Sequence, residues 1–104
     1  MPGSRNSTAI MFYYVYVLKS VNYNRLYIGF AVDLNKRIKE HNCGLSFSTK
    51  PYLPWQIIFF EAYKNERDAK RREKYLKTSQ GGRLLKRMLK EYFYNNKSNS
   101  HCLA

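Results

Sequence analysis

Apolar and polar positions alternate from Phe12 to Lys19 and predict a strand, with Val15 and Val17 on one face and Tyr14, Tyr16 and Leu18 on the other. Val21-Asn22-Tyr23-Asn24 supplies a turn, and Arg25 to Phe30 predicts the returning strand of a hairpin. Paired strands lie about 5 Å apart, which would bring Tyr16 and Tyr27 close together. Gly29, near the strand end, predicts a bulge or a close backbone approach.

The period then turns helical. Asp33 is a candidate N-cap for a helix over Leu34 to Asn42, with Leu34 and Ile38 on its apolar stripe. Cys43-Gly44 ends it, and Leu45 to Pro54 reads as a loop. Trp55 to Tyr63 predicts a strand, central because Ile57 to Phe60 is apolar without a break. Asn65 caps a second helix reaching about Thr78, with Ala69, Arg72 or Glu73, and Leu76 inward. Ser79 to Gly82 breaks the run. A last helix from Arg83 to Phe93 turns Leu84, Leu85, Met88, Leu89 and Phe93 inward. The expected class is α+β: a small, mostly antiparallel three-stranded sheet flanked by helices, in the order β-β-α-β-α-α. Residues 11–94 form the expected single domain, between a flexible leader at 1–10 and a flexible tail at 95–104.

Charge narrows the function. Nineteen Lys and Arg against seven Asp and Glu give +12, which favours a polyanionic partner, nucleic acid first. No apolar run is long enough for a signal peptide or membrane span, so a cytoplasmic protein without membrane contact is expected. Two cysteines outside any CxxC pattern and two distant histidines argue against structural zinc. A hard ion held by carboxylate and water is the more plausible metal. Phosphate-loop, dinucleotide-loop and HExxH patterns are absent from the sequence.

Candidate chemistry sits on few side chains. Tyr16 and Tyr27 read either as sheet aromatics with hydroxyls at the rim or as phenols assisting attack by water. The second role requires a cation or base nearby. Arg37 and His41, four apart on one helix, are the nearest candidates. Arg37 can grip a phosphate with two parallel hydrogen bonds, and His41 can pass a proton or favour the helix dipole. Glu73 is a lone carboxylate within the cationic segment Lys70 to Lys77; it is either neutralised by lysines or holds one magnesium-like ion. Lys64 to Lys90 contains eleven Lys or Arg and three acids, which predicts a phosphate-tracking surface. Its candidates are Lys70, Arg71, Arg72, Lys74 and Lys77, joined by Lys50 from the preceding loop. Tyr52 or Phe47 of that loop would stack on unpaired bases.

Tyr14-Val15-Tyr16, Tyr27-Ile28-Gly29, Asp33-Leu34 leading to Arg37 and His41, Ser48-Thr49-Lys50, Pro54-Trp55 and the stretch Ala69 to Lys77 agree in order and spacing with one family. Over about residues 12–93 the chain resembles the GIY-YIG nuclease superfamily, particularly small standalone bacterial members similar to the N-terminal nuclease domain of the excision-repair subunit UvrC. The resemblance implies hydrolysis of nucleic-acid phosphodiester bonds, DNA first, using Mg²⁺ or Mn²⁺ and leaving 5′-phosphate and 3′-hydroxyl ends. It implies that Tyr16 or Tyr27 activates water, Arg37 stabilises the transition state, His41 supports the nucleophile and Glu73 holds the ion. Three positions depart from the pattern. Tyr14 replaces the opening glycine, Phe30 stands where UvrC-like domains have lysine, and the asparagine after the glutamate helix has no counterpart near Ser79 and Gln80. The alternative is a non-catalytic or partner-dependent nucleic-acid-binding module on the same scaffold, with a repair protein as one such partner. Oligomeric state stays open.

Overall fold

A computed structural model describes residues 10–95. The expected leader and tail therefore fall almost wholly outside the described residues. The elements are β1 (Tyr13–Ser20), β2 (Leu26–Ala31), α1 (Leu34–Asn42), a short 3-10 turn (Lys50–Tyr52), β3 (Trp55–Tyr63), α2 (Glu66–Leu76) and α3 (Ser79–Met88). This is a small α+β fold with a three-stranded antiparallel sheet flanked by helices. Two compact units divide at Glu73, within α2: one ends there and the other starts at Lys74. No helix among the described residues is long and apolar enough to cross a membrane.

The sheet order is β2-β1-β3, so the expectation of a central β3 is corrected: β1 lies in the middle. An unbroken apolar run marks burial on both faces, and two strands carry such a run. Val15, Tyr16, Val17 and Leu18 of β1 are all fully buried, whereas Ile57 and Phe60 of β3 are exposed on an edge strand. Continuous apolarity in β3 thus produces an exposed apolar edge rather than a core strand. A register shift between Val17 and Leu18 makes β3 irregular there.

Local sequence fixes the helix starts. Asp33 accepts from the Lys36 backbone N–H at 3.1 Å, and Asn65 Oδ1 accepts from Arg67 N–H at 2.8 Å. The second unit begins differently from expectation. Gly81 and Gly82 do not break the run; they lie in the first turn of α3, whose N-cap is Thr78. Thr78 Oγ1 accepts from Gly81 N–H at 3.0 Å. A Cβ on Gly81 would collide with the Tyr75 carbonyl and the Leu76 backbone, so glycine here serves close packing and not a turn. The helix stops at Met88 with Leu89 as its C-cap, and residues 90–95 are helical again. Leu85 is buried as expected, but Met88, the last residue of the helix, is 41% exposed.

Candidate functional site

The site grows from the register of β1 and β2. Tyr16 stands opposite Gly29, and Tyr27 stands opposite Leu18, so both tyrosines share one sheet face. Gly29 is the floor. A Cβ there would fall on the Tyr16 ring and hydroxyl, so glycine lets the phenol lie flat across β2. The Tyr16 and Tyr27 ring centroids are 6.2 Å apart.

Helix α1 brings its last turn over this face. His41 is fully buried; its ring centroid is 4.8 Å from Tyr27 and 5.8 Å from Tyr16. Tyr16 Oη lies 2.8 Å from His41 Nε2, and His41 Nδ1 lies 2.8 Å from Thr49 Oγ1. Thr49 in turn donates to the Ser46 carbonyl at 3.4 Å. That last step sets the direction of the chain. Thr49 accepts from His41 Nδ1–H, which leaves Nε2 free to accept from the Tyr16 hydroxyl.

Arg37, one turn earlier on α1, pairs with Glu40 at 3.0 Å and lies close enough to Tyr16 to favour its ionised form. Its guanidinium pKa is raised, first by the Glu40 hydrogen bond and also by Tyr16. Burial pushes the Tyr16 phenol up to about 12, with help from Tyr27 and from the negative charge of Glu73; Arg37 pulls the other way and does not win. His41 is lowered, by burial first and by Arg37 second. Both shifts act in one sense: the proton stays on Tyr16 and the imidazole stays neutral.

Tyr16, Tyr27, Arg37 and His41 therefore form one cluster, and Glu73 lies within electrostatic reach of Tyr16. Sequence reasoning quoted Thr49 without giving it a role and overlooked Glu40. A threonine buried in a polar loop, and an acid three residues after Arg37, were the available signals. Asn42 was also missed. Its Oδ1 accepts from Trp55 N–H at 2.7 Å and its Nδ2 donates to Trp55 C=O at 2.9 Å, closing the loop from α1 to β3. Trp55 Nε1–H donates to the Thr49 carbonyl at 2.8 Å and holds that loop against the site.

The cationic candidates divide. Arg72 is committed to Glu61 by a two-pronged pair, Nε to Oε1 at 2.9 Å and Nη2 to Oε2 at 3.0 Å, and Tyr63 adds a third bond to Glu61 at 2.7 Å. Burial opposes the Glu61 charge, but these donors hold its pKa below the usual carboxylate value. Lys70 and Arg71 pair with Glu66 and Asp68 at 3.1 Å on an exposed face, where such pairs exchange readily. Lys50, Lys74 and Lys77 are exposed. Of the two loop aromatics expected to stack on bases, Tyr52 is corrected. It is half-buried against Tyr23 and Trp55, with Arg25 over its ring. Phe47 is 93% exposed.

No group of three or more His, Cys, Asp or Glu among the described residues is arranged to hold a metal ion.

A three-stranded sheet carrying two tyrosines across a glycine, with an arginine and a histidine from the following helix, defines a GIY-YIG domain. Residues 12–88 match the GIY-YIG catalytic domain, and the chain belongs to that family. It is related to the UPF0213 proteins. One from Clostridium perfringens is 42% identical over 66 residues, covering 62% of this chain and 69% of the relative. YazA of Bacillus subtilis is 36% identical over 89 residues, covering 85% and 83%. The solution structure of a UPF0213 protein from Bacillus halodurans matches with a TM-score of 0.48 at 26% identity, covering 75% of this chain and 85% of that one.

Proposed function

We propose that this chain is a nucleic-acid-binding GIY-YIG module whose phosphodiester chemistry is conditional on what joins it. The observation that carries this reading is the buried Tyr16–His41 hydrogen bond, with a phenol pushed up to about 12 beside a histidine whose basicity is depressed. The chain alone is a resting site. For Tyr16 to take a proton from water, its own proton must pass to His41 Nε2, and Arg37 disfavours the imidazolium that forms. A phosphodiester seated on Arg37 brings negative charge that offsets this effect. Substrate then primes the relay that the bare chain keeps closed.

The productive step requires the buried Tyr16 Oη to be opened to water. The water oxygen then forms a bond to phosphorus while one of its protons moves to Tyr16 Oη, whose own proton has passed to His41 Nε2. The bond from phosphorus to the 3′ oxygen breaks, and the leaving oxygen takes a proton from solvent, giving 5′-phosphate and 3′-hydroxyl ends. Arg37 stabilises the charge that develops on the phosphoryl oxygens. Glu73 would hold Mg²⁺ or Mn²⁺, which supplies charge neutralisation at the leaving oxygen when bound. An autonomous DNA endonuclease is the second reading, favoured by the electrostatic reach of Glu73 to Tyr16.

The test measures binding of single-stranded, duplex and branched DNA across a salt series in chelator, followed by product formation with Mg²⁺ or Mn²⁺. Steeply salt-dependent binding that survives Glu73→Ala, without cleavage by the chain alone, supports the module. Rapid metal-dependent cleavage lost in Glu73→Ala establishes the second reading instead. Binding that ignores salt defeats both.

A further inference from the structure

On the sheet face that carries Tyr16, the aromatic surface does not end at the site. Register places Phe60 of β3 directly opposite Tyr16, and Ala62 opposite Tyr14. All four side chains share this face, because directly opposed residues point the same way. Phe60 is 52% exposed, Ala62 is exposed, and Tyr14 is half-buried. The Tyr14 and Phe60 rings meet edge to face, with centroids 5.9 Å apart and an interplanar angle of 60°. Tyr14 stands where the family pattern has glycine. The exchange adds a ring that braces Phe60 from the side.

We propose that Phe60, braced by Tyr14, is a stacking platform for an unpaired nucleobase flanking the phosphate held at Tyr16 and Arg37. The inference rests on the nucleic-acid reading above and adds a preference for strands whose bases are free to splay. Three observations identify the occupant. The chain carries +12, so it attracts polyanions and repels its own copies. Phe60 stands directly opposite Tyr16 in the sheet, and Arg37 is the cation that acts on that phenol. Alanine at position 62 leaves the β3 side of the ring without a bulky neighbour on that face. A base in a duplex has both faces occupied by its neighbours, whereas an unpaired base offers one to Phe60 at little cost.

The test uses the full chain, Phe60→Ala and Phe60→Trp, with single-stranded and blunt duplex oligonucleotides and with 2-aminopurine placed at successive positions of the single strand. Circular dichroism verifies the fold, and position 60 on an exposed edge tolerates truncation. Phe60→Ala should weaken single-strand binding by about 10- to 100-fold and abolish the 2-aminopurine quenching, while duplex binding and the salt slope stay as in the parent. Phe60→Trp should restore both. Equal losses on single strand and duplex, or unchanged quenching in Phe60→Ala, overturn the platform while leaving the nucleic-acid reading intact. Dimerisation of the parent that Phe60→Ala abolishes would make this face a self-association surface and overturn it too. A parent that binds no oligonucleotide at low salt overturns the functional reading and the platform with it.

Discussion

Tyr16 Oη donates to His41 Nε2 across 2.8 Å, and neither side chain touches solvent. The bond is directed by a residue behind it, since Thr49 receives the other imidazole proton. Thr49→Val keeps the shape and removes the acceptor, leaving His41 Nδ1–H buried without a partner. The expected loss is about 1–3 kcal/mol in denaturant unfolding, with Thr49→Ser close to the parent. Equal stability of the valine and serine variants would show that Thr49 does not orient the ring.

Gly29→Ala should be costly for its size. The new methyl group meets the Tyr16 ring and hydroxyl, so the phenol must leave His41 or the hairpin must shift. Overpacking of this kind costs about 1–3 kcal/mol, read as a lowered Tm. A variant that melts with the parent and still shows late titration of Tyr16 would refute this account of the glycine.

The pH dependence has two signs. Tyr16 and Tyr63 are raised from their ordinary value of 10.0 to about 12 in the fold; burial is the main cause in each. Stability from these groups is fully present below pH 10 and is lost as pH rises from about 10 to about 12. His41 and Glu61 are lowered, so the unfolded chain takes up their protons first. Their contribution is present above the unfolded values of 6.5 and 4.5 and is lost as pH falls through the depressed folded values. The urea midpoint should form a plateau near neutral pH with falls on both sides. Tyr16 and Tyr63 should ionise late in an ultraviolet titration, and Tyr16→Phe should remove the step owed to Tyr16. A midpoint flat into strong alkali would contradict the burial of both phenols.

Arg72→Ala should act on stability more than on binding. It strips a half-buried Glu61 of a forked partner, and the expected cost is about 1–3 kcal/mol. Arg71→Ala breaks only an exposed pair, with a change under about 1 kcal/mol. Chemical denaturation of both variants, beside DNA affinity at fixed salt, separates the roles. The reverse ordering of stabilities would return Arg72 to the phosphate-contact set.

Glu73→Ala and Arg37→Ala should differ in where they fail. Wherever cleavage is found, loss of Glu73 should remove the metal-dependent product and leave binding nearly intact. Loss of Arg37 should lower turnover more than affinity, because one of many phosphate contacts goes but the charge-stabilising one is lost. Equal losses in affinity and turnover for Arg37→Ala would make it a positioning residue.

Much of this architecture was legible in the chain. Asp33 and Asn65 mark helix starts by side-chain chemistry that acts within three residues, and local chemistry is what a sequence displays. The pairing of Tyr16 with Tyr27 followed from hairpin geometry, which is also local. Strand order was not legible, because β1 and β3 both carry unbroken apolar runs and only tertiary contacts decide which is covered. Gly81-Gly82 misled for a similar reason: the need for space beside Tyr75 is invisible until the turn from α2 to α3 exists. Thr49 acquired its part only when residues eight apart met across the buried ring of His41.

The two-point clasp between Asn42 and Trp55 separates the span between them into a tethered base and an outer tip. Leu45 and Phe47, on that tip, lie far into solvent, while the bond from Trp55 to the Thr49 carbonyl anchors the inner limb. Evolution, or an engineer, can therefore recode the side chains of Leu45 and Phe47 without retuning the imidazole behind them, provided the Ser46 carbonyl keeps its place beside Thr49. Diversity among relatives should concentrate at that bend, as interchangeable headgear on a fixed mount.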